Sequence, residues 1–186
     1  NFKGWQDTNS IRMAPITLFF GTNSSGKSSI GHFLMMLKQT VELPDRKTVL
    51  FPGTKNSAVQ LGSFQEMINE RNTKKRITFS YEWERHSTIK LKDPYSGRNY
   101  NYNRIRFSAE VGSGSEFQNA PVVQNFSYDL KQDEDPVLSI GMEKKNINQA
   151  EYIVNTENDE LKRNKGRAWS PGSPVRFYGF PAEVVA

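Results

Sequence analysis

Ile16-Thr17-Leu18-Phe19-Phe20-Gly21-Thr22-Asn23-Ser24-Ser25-Gly26-Lys27-Ser28-Ser29-Ile30 is the stretch on which the reading of this chain turns. Gly21, Gly26, Lys27 and Ser28 fit G-x-x-x-x-G-K-[ST], the spacing of a phosphate-binding P-loop. The flanks agree with the motif. A short apolar run entered from Pro15 reads as a buried strand, rich in β-branched and aromatic residues. After the motif, Ile30, Phe33, Leu34, Leu37 and Val41 recur at helical spacing, and Pro44 marks the stop. A strand, a glycine loop and a helix follow in the order the motif requires.

Each residue type has a task in such a loop. Glycine at 21 and 26 permits backbone angles that a Cβ would block, so successive N–H groups can turn around a phosphate. The helix starting near Lys27 aims its positive dipole end at the same anion. The expected ATP contacts are Asn23 and Ser24 beside the γ-phosphate, Ser25 and Gly26 in the cradle, Lys27 on the β- and γ-phosphates, and Ser29 near the α-phosphate. The Ser28 hydroxyl is the expected ligand of Mg²⁺.

Composition narrows the remaining chemistry. With 186 residues the chain suffices for one large domain or two small ones, and a hydrophobic content of 35% implies much exposed strand and loop. The absence of cysteine excludes disulfides, thiolate zinc sites and cysteine nucleophiles. His32 and His86 stand far apart with no second ligand pattern, against a zinc site. No apolar stretch approaches a membrane span, and no signal peptide opens the chain, so no membrane partner is expected and the cytoplasm is the expected compartment. The net charge of +5 is uneven: residues 46–106 carry most of the surplus and 129–160 are acidic. A basic face of that kind suits nucleic acid, an acidic protein or plain solvation.

Along the chain, Asn1-Phe2-Lys3-Gly4-Trp5 reads as the end of an edge strand, and residues 27–43 as the P-loop helix. Val59 to Phe64 is extended and leads into a brief helix over Gln65 to Asn69. The period then changes to two: Ile77 to Trp83, Thr88 to Lys92, Tyr100 to Val111, Val122 to Leu130, Val137 to Met142 and Glu151 to Val154 alternate. Glu84-Arg85-His86-Ser87, Asp93 to Gly97, Gly112 to Ser115 and Asp133 to Pro136 are the expected turns. An antiparallel meander with one wet face results. The expected fold class is α/β, in its α+β form: a P-loop core over 1–45, an antiparallel subdomain over 46–160 and a mobile loop over 155–172.

This layout resembles the N-lobe of ABC-type ATPase heads in the RecF/SMC/OLD group. Asn1-Phe2-Lys3-Gly4-Trp5 is similar to that group's first-strand ending, and Gly21 to Ser29 to its asparagine-bearing P-loop. Leu61-Gly62-Ser63-Phe64, Ile77-Thr78-Phe79 and Phe177-Tyr178-Gly179-Phe180-Pro181 resemble the AAA-type ATPases of prokaryotic anti-phage systems, which work beside a nuclease or toxin effector. The resemblance implies ATP and Mg²⁺ as cofactors and a second ATPase head as partner. It also implies an effector protein such as a nuclease, with nucleic acid a further candidate. ATP-driven head association and hydrolysis would control that effector or clamp nucleic acid; the alternative is a nucleotide-gated scaffold with little turnover. Lys3 takes the place of a basic residue that reaches the nucleotide, or is a surface lysine; Trp5 stands near the adenine, or is a core or edge aromatic.

The departures from the group are equally specific. Hydrolysis there needs an apolar strand ending in Asp-Glu, and none exists here; Asp133-Glu134-Asp135, before Pro136, reads as a hairpin turn. The signature loop is missing, because Leu61 to Phe64 and Gly112 to Ser115 have the wrong order. No catalytic residue is therefore assigned, and the chain alone is expected to be inactive. A glutamine sensing the γ-phosphate is implied, and Gln60, Gln65, Gln118, Gln124, Gln132 and Gln149 are all available. The start at Asn1 without methionine and the closing run to Ala186 predict a fragment whose C-lobe lies beyond residue 186. A small GTPase is disfavoured, since Asn72-Thr73-Lys74-Lys75 and Asn164-Lys165-Gly166-Arg167 both lack the guanine-reading aspartate.

Overall fold

The computed structural model describes residues 1–93, 97–114, 120–145, 151–156 and 171–182. The chain forms two compact units, one of residues 1–77 and 111–122, the other of residues 78–110 and 123–186.

In the first unit, helix α1 spans Lys27–Glu42. It ends where Pro44 forces the preceding Leu43 into extended backbone, with φ −64° and ψ 135°. Met36 and Leu37 are buried and Phe33 and Leu34 half-buried, but Val41, expected on the same stripe, is exposed. Gln39 and Thr40 are buried in its place. They act as a substitute strand edge. The Gln39 amide donates to the carbonyls of Phe51 (2.8 Å) and Val59 (3.4 Å), and the Thr40 hydroxyl accepts from the Phe51 N–H (2.8 Å). The part-buried backbone groups of Phe51 and Val59 thereby find partners without a ladder.

The next segment starts at a capping box. Ser63 and Glu66 exchange hydrogen bonds at the entry of helix α2, Phe64–Met67, and the Ser63 N–H holds the Glu66 carboxyl below its ordinary pKa. A single 3-10 turn, Asn69–Arg71, follows. Residues 1–5 form no edge strand. They make a tight bend in which Phe2 and Trp5 exchange backbone hydrogen bonds of 2.8 and 2.9 Å. Lys3, at φ 47°, donates its N–H to Met67 and accepts from Asn69. The Phe2 ring lies 5.0 Å from that of Phe33 on α1.

The run Ile16 to Phe20, expected as a buried strand, joins no ladder among the described residues. Ile16 is 82%, Leu18 70% and Phe20 86% exposed. A strand apolar on both faces is stable only between neighbours in a covered sheet, and none of the described strands takes that place.

Five strands, β1 (Ile77–Lys92), β2 (Asn99–Ser113), β3 (Pro121–Gln132), β4 (Asp135–Lys144) and β5 (Tyr152–Thr156), form one antiparallel sheet in sequence order. The turn expected at Glu84 to Ser87 does not exist: β1 runs through it, with His86 exposed in the strand. Those four residues include no glycine, proline, asparagine or aspartate to favour a reversal. Glu82 and Glu84 instead share one face, where Arg104 of β2 pairs with both, at 3.7 and 3.3 Å, and with Glu134. Between β1 and β2 the Gly97 N–H donates to the Asp93 carbonyl (2.9 Å) and the Asp93 N–H to the Arg98 carbonyl (2.8 Å). The expected reversal at Asp133 and Glu134 is present; Asp133, at φ 55°, is held by Asn103 through bonds of 2.7 and 2.8 Å. Glu151 lies one residue before β5, which continues to Thr156; residues 157–170 of the expected loop fall outside the described residues.

The core of the second unit is aromatic. Phe107, Phe126, Tyr152 and Phe177 are buried, and the Phe126 ring meets Phe180 at 5.0 Å. Phe177 to Pro181 thus folds back as a bend, closed by paired 2.8 Å bonds between Val175 and Gly179. The Tyr128 and Tyr152 hydroxyls donate to the carbonyls of Tyr178 and Val123, and burial pushes both pKa values up to about 12.

Two predictions follow from this burial. Phe126→Ala should cost about 3–5 kcal/mol and Phe20→Ala no more than about 0.5 kcal/mol, measured by urea unfolding. The raised tyrosine values favour the protonated, folded state, so stability should be complete below the unfolded value of 10.0. It should fall as pH rises toward about 12, read as a shrinking urea midpoint between pH 9 and 11.5.

Candidate functional site

The seven expected phosphate-binding residues, 23–29, lie on one loop and the first helical turn after it. Three backbone positions shape the loop. Gly21 has φ 150°, Ser24 φ 63° and Gly26 φ 85°, the last as the N-cap of α1. Left-handed backbone at the cap is costly for a side chain and tolerable for glycine. Residues 21–25 and Ser28 are exposed; Gly26, Lys27 and Ser29 are half-buried.

Lys27 lies within the curve of the loop. Its Nζ donates to the carbonyls of Gly21 (2.9 Å) and Thr22 (2.6 Å) and to the Ser25 hydroxyl (3.4 Å). The ammonium therefore holds the loop closed around itself and places a full positive charge at its centre. A Cβ at Gly21 would sit 3.3 Å from the Ser25 hydroxyl oxygen and 3.8 Å from the Lys27 side chain, so glycine leaves room for this arrangement.

The helix entrance is electrostatically uncompensated. No side chain caps Gly26, and the first turn of α1 carries no acidic residue. The Ser29 N–H closes the first turn on the Gly26 carbonyl (2.9 Å), and N–H groups at a helix start that lack such an acceptor make it a donor surface for an anion. Ser28 presents its hydroxyl on the same turn.

The structure also brings Trp5 to the loop: its indole N–H donates to the Gly26 carbonyl at 2.9 Å. Lys3 is different. Its backbone is tied to Met67 and Asn69, and no hydrogen bond joins it to residues 21–29. Of the glutamines, Gln60 gives its amide to the Lys55 carbonyl and Gln65 is exposed on α2. Gln124 and Gln132 lie on β3, and Gln118 and Gln149 fall outside the described residues. The Asp133 and Glu134 carboxylates are committed to Asn103 and Arg104, as a turn requires. The buried Gln39, absent from the expected glutamines, ties α1 to residues 51–59; its signal in the sequence is a polar Gln-Thr pair continuing an apolar helical stripe.

A shallow depression on the sheet lies between Phe126 and Met142, over Gly141. The polar groups at its rim serve one another: Asn125 bonds Glu110, Asn155 bonds Glu143, and Ser139 bonds Asp129.

Residues 1–166 match the family model described as the AAA ATPase domain, and the chain belongs to that family. No curated protein and no solved structure matches the chain. Among the described residues no helix is long and apolar enough to cross a membrane.

The closeness of Gly26 to Trp5 yields a test. A Cβ at position 26 would lie 2.7 Å from the indole nitrogen, on left-handed backbone. Gly26→Ala should therefore destabilise the first unit by at least about 1–2 kcal/mol, seen as a lower thermal midpoint.

Proposed function

We propose that the chain binds the triphosphate of ATP with Asn23 to Ser29, as the N-lobe of an ABC-type ATPase head. The observation that carries this reading is the position of Lys27, an ammonium enclosed by loop carbonyls beside an uncapped helix entrance. Charge, donors and open access converge on one point, the requirements of a phosphate site. Binding of the β- and γ-phosphates would replace part of the carbonyl coordination of Lys27 with charge-assisted bonds.

The same residues fit Mg²⁺ carried in on the nucleotide. Ser28 offers one hydroxyl beside the phosphate site, and a magnesium ion characteristically takes few protein ligands, with phosphate oxygens and water filling its octahedron. When bound, the ion neutralises charge developing on the phosphates. Ser28 would orient it, Lys27 would hold the phosphates, and the α1 entrance would stabilise their charge.

Hydrolysis needs groups that polarise water, and the described residues hold no cluster of three acidic or histidine side chains. In our reading a C-lobe supplies the Asp-Glu pair and a second head supplies the signature loop. The exposed apolar run Ile16 to Phe20, which joins no ladder, supports this reading as a segment without neighbours to cover it. The biological role that goes with the resemblance is control of a nuclease-like effector in the cytoplasm, by ATP-driven head association, in anti-phage defence. Nucleotide-gated holding and release of that effector with little turnover is the variant of the same scheme.

Lys27→Ala should weaken ATP binding by about 10- to 100-fold with the thermal midpoint retained, as calorimetry would show. Ser28→Ala should chiefly reduce the gain in affinity on adding Mg²⁺. Undiminished ATP affinity in Lys27→Ala would remove the phosphate assignment.

A further inference from the structure

We infer that Trp5 is a positioning residue for the phosphate loop, acting on Gly26 from behind rather than on the nucleotide base. The inference rests on the phosphate-site reading above and deepens it. Its geometry is independent of that reading.

Two contacts carry it. The indole Nε1 donates to the Gly26 carbonyl at 2.9 Å, and the indole edge covers the side of Gly26 on which a Cβ would stand, 2.7 Å from Nε1 and 3.2 Å from the adjoining ring carbon. Gly26 is the N-cap of α1 at φ 85°, and its carbonyl, which also accepts from the Ser29 N–H at 2.9 Å, lies in one planar peptide with the Lys27 N–H, so holding it sets the direction of that N–H. With no side chain capping this helix, the indole is a group from outside the loop that fixes its last peptide. Held there, the first-turn N–H groups are set before an anion arrives, and less ordering remains for binding to supply.

Trp5 is itself rigidly mounted. It sits in the bend closed by two backbone bonds with Phe2, whose ring packs on Phe33 of α1. Lys3 in the same bend is pinned to Met67 and Asn69. The clamp therefore joins the start of the chain, the helix and the α2 region at one carbonyl.

The experiment compares wild type, Trp5→Phe and Lys27→Ala for binding of Mg·ATP and of inorganic tripolyphosphate, which has no base. Phenylalanine keeps the ring and removes the donor. Trp5→Phe should weaken both ligands by the same factor, about five- to tenfold, at a temperature well below both thermal midpoints. Weakened ATP with unchanged tripolyphosphate would overturn the inference in favour of base stacking. If both affinities are unchanged while Lys27→Ala loses them, the clamp is overturned and the phosphate site stands. If Lys27→Ala binds both normally, the phosphate site fails and the clamp with it. Should Trp5→Phe not fold, the wild-type indole N–H of Trp5 provides the readout by NMR. Slow solvent exchange of that N–H in the ligand-free protein, as for a hydrogen-bonded donor, supports the clamp, and exchange at the rate of an exposed indole overturns it.

Discussion

The ammonium of Lys27 takes its acceptors from the backbone of its own loop, the carbonyls of Gly21 and Thr22. Those carbonyls reach it only if the chain curls back on itself, which needs positive φ at Gly26 and Ser24. Curling exposes the first-turn N–H groups of α1 at the mouth of the loop. One interaction thus shapes the backbone, opens the helix entrance and centres a positive charge there. The rest of the first unit is arranged so that this loop has a firm base.

That base is built from polar groups as much as from apolar ones. Gln39 and Thr40 occupy buried places on α1 where aliphatic residues would give more hydrophobic energy. In return they satisfy backbone groups of Phe51 and Val59, which have no strand partner. Gly53 completes the arrangement, because a Cβ there would lie 1.9 Å from the Val59 carbonyl. The second unit follows a different rule. Its sheet is held by buried aromatic rings and, at one end, by a single guanidinium shared among Glu82, Glu84 and Glu134.

In this AAA ATPase domain the glycine-rich loop and the large antiparallel sheet differ in composition as well as in sequence position. The loop unit is rich in strained or glycine backbone. The sheet unit has long strands with charged outer residues, among them Arg85, Lys90 and Lys92 on β1. Charge on a sheet edge discourages pairing with other chains. The apolar run Ile16 to Phe20 has no such protection, which is why it reads as a surface meant for cover.

Much was legible from local signals. Spacing of Gly21, Gly26, Lys27 and Ser28 determined the loop and the helix start, because few backbone paths accommodate those residues in that order. Alternation of apolar and polar residues determined the meander and its strand sequence, because side-chain direction in a strand has a period of two. Pro44 and Asp133 to Pro136 determined their boundaries through fixed φ and turn chemistry. Tertiary structure decided what depends on partners distant in sequence. It carried β1 through Glu84 to Ser87, since Arg104 on the next strand rewards the extended form. It turned residues 1–5 into a bend, since Met67 and Asn69 take their backbone bonds. It set the Trp5 indole on the Gly26 carbonyl, a pairing across 21 residues that no periodicity encodes. Local chemistry dictates which conformations a segment can adopt, and only the packed neighbours select among them.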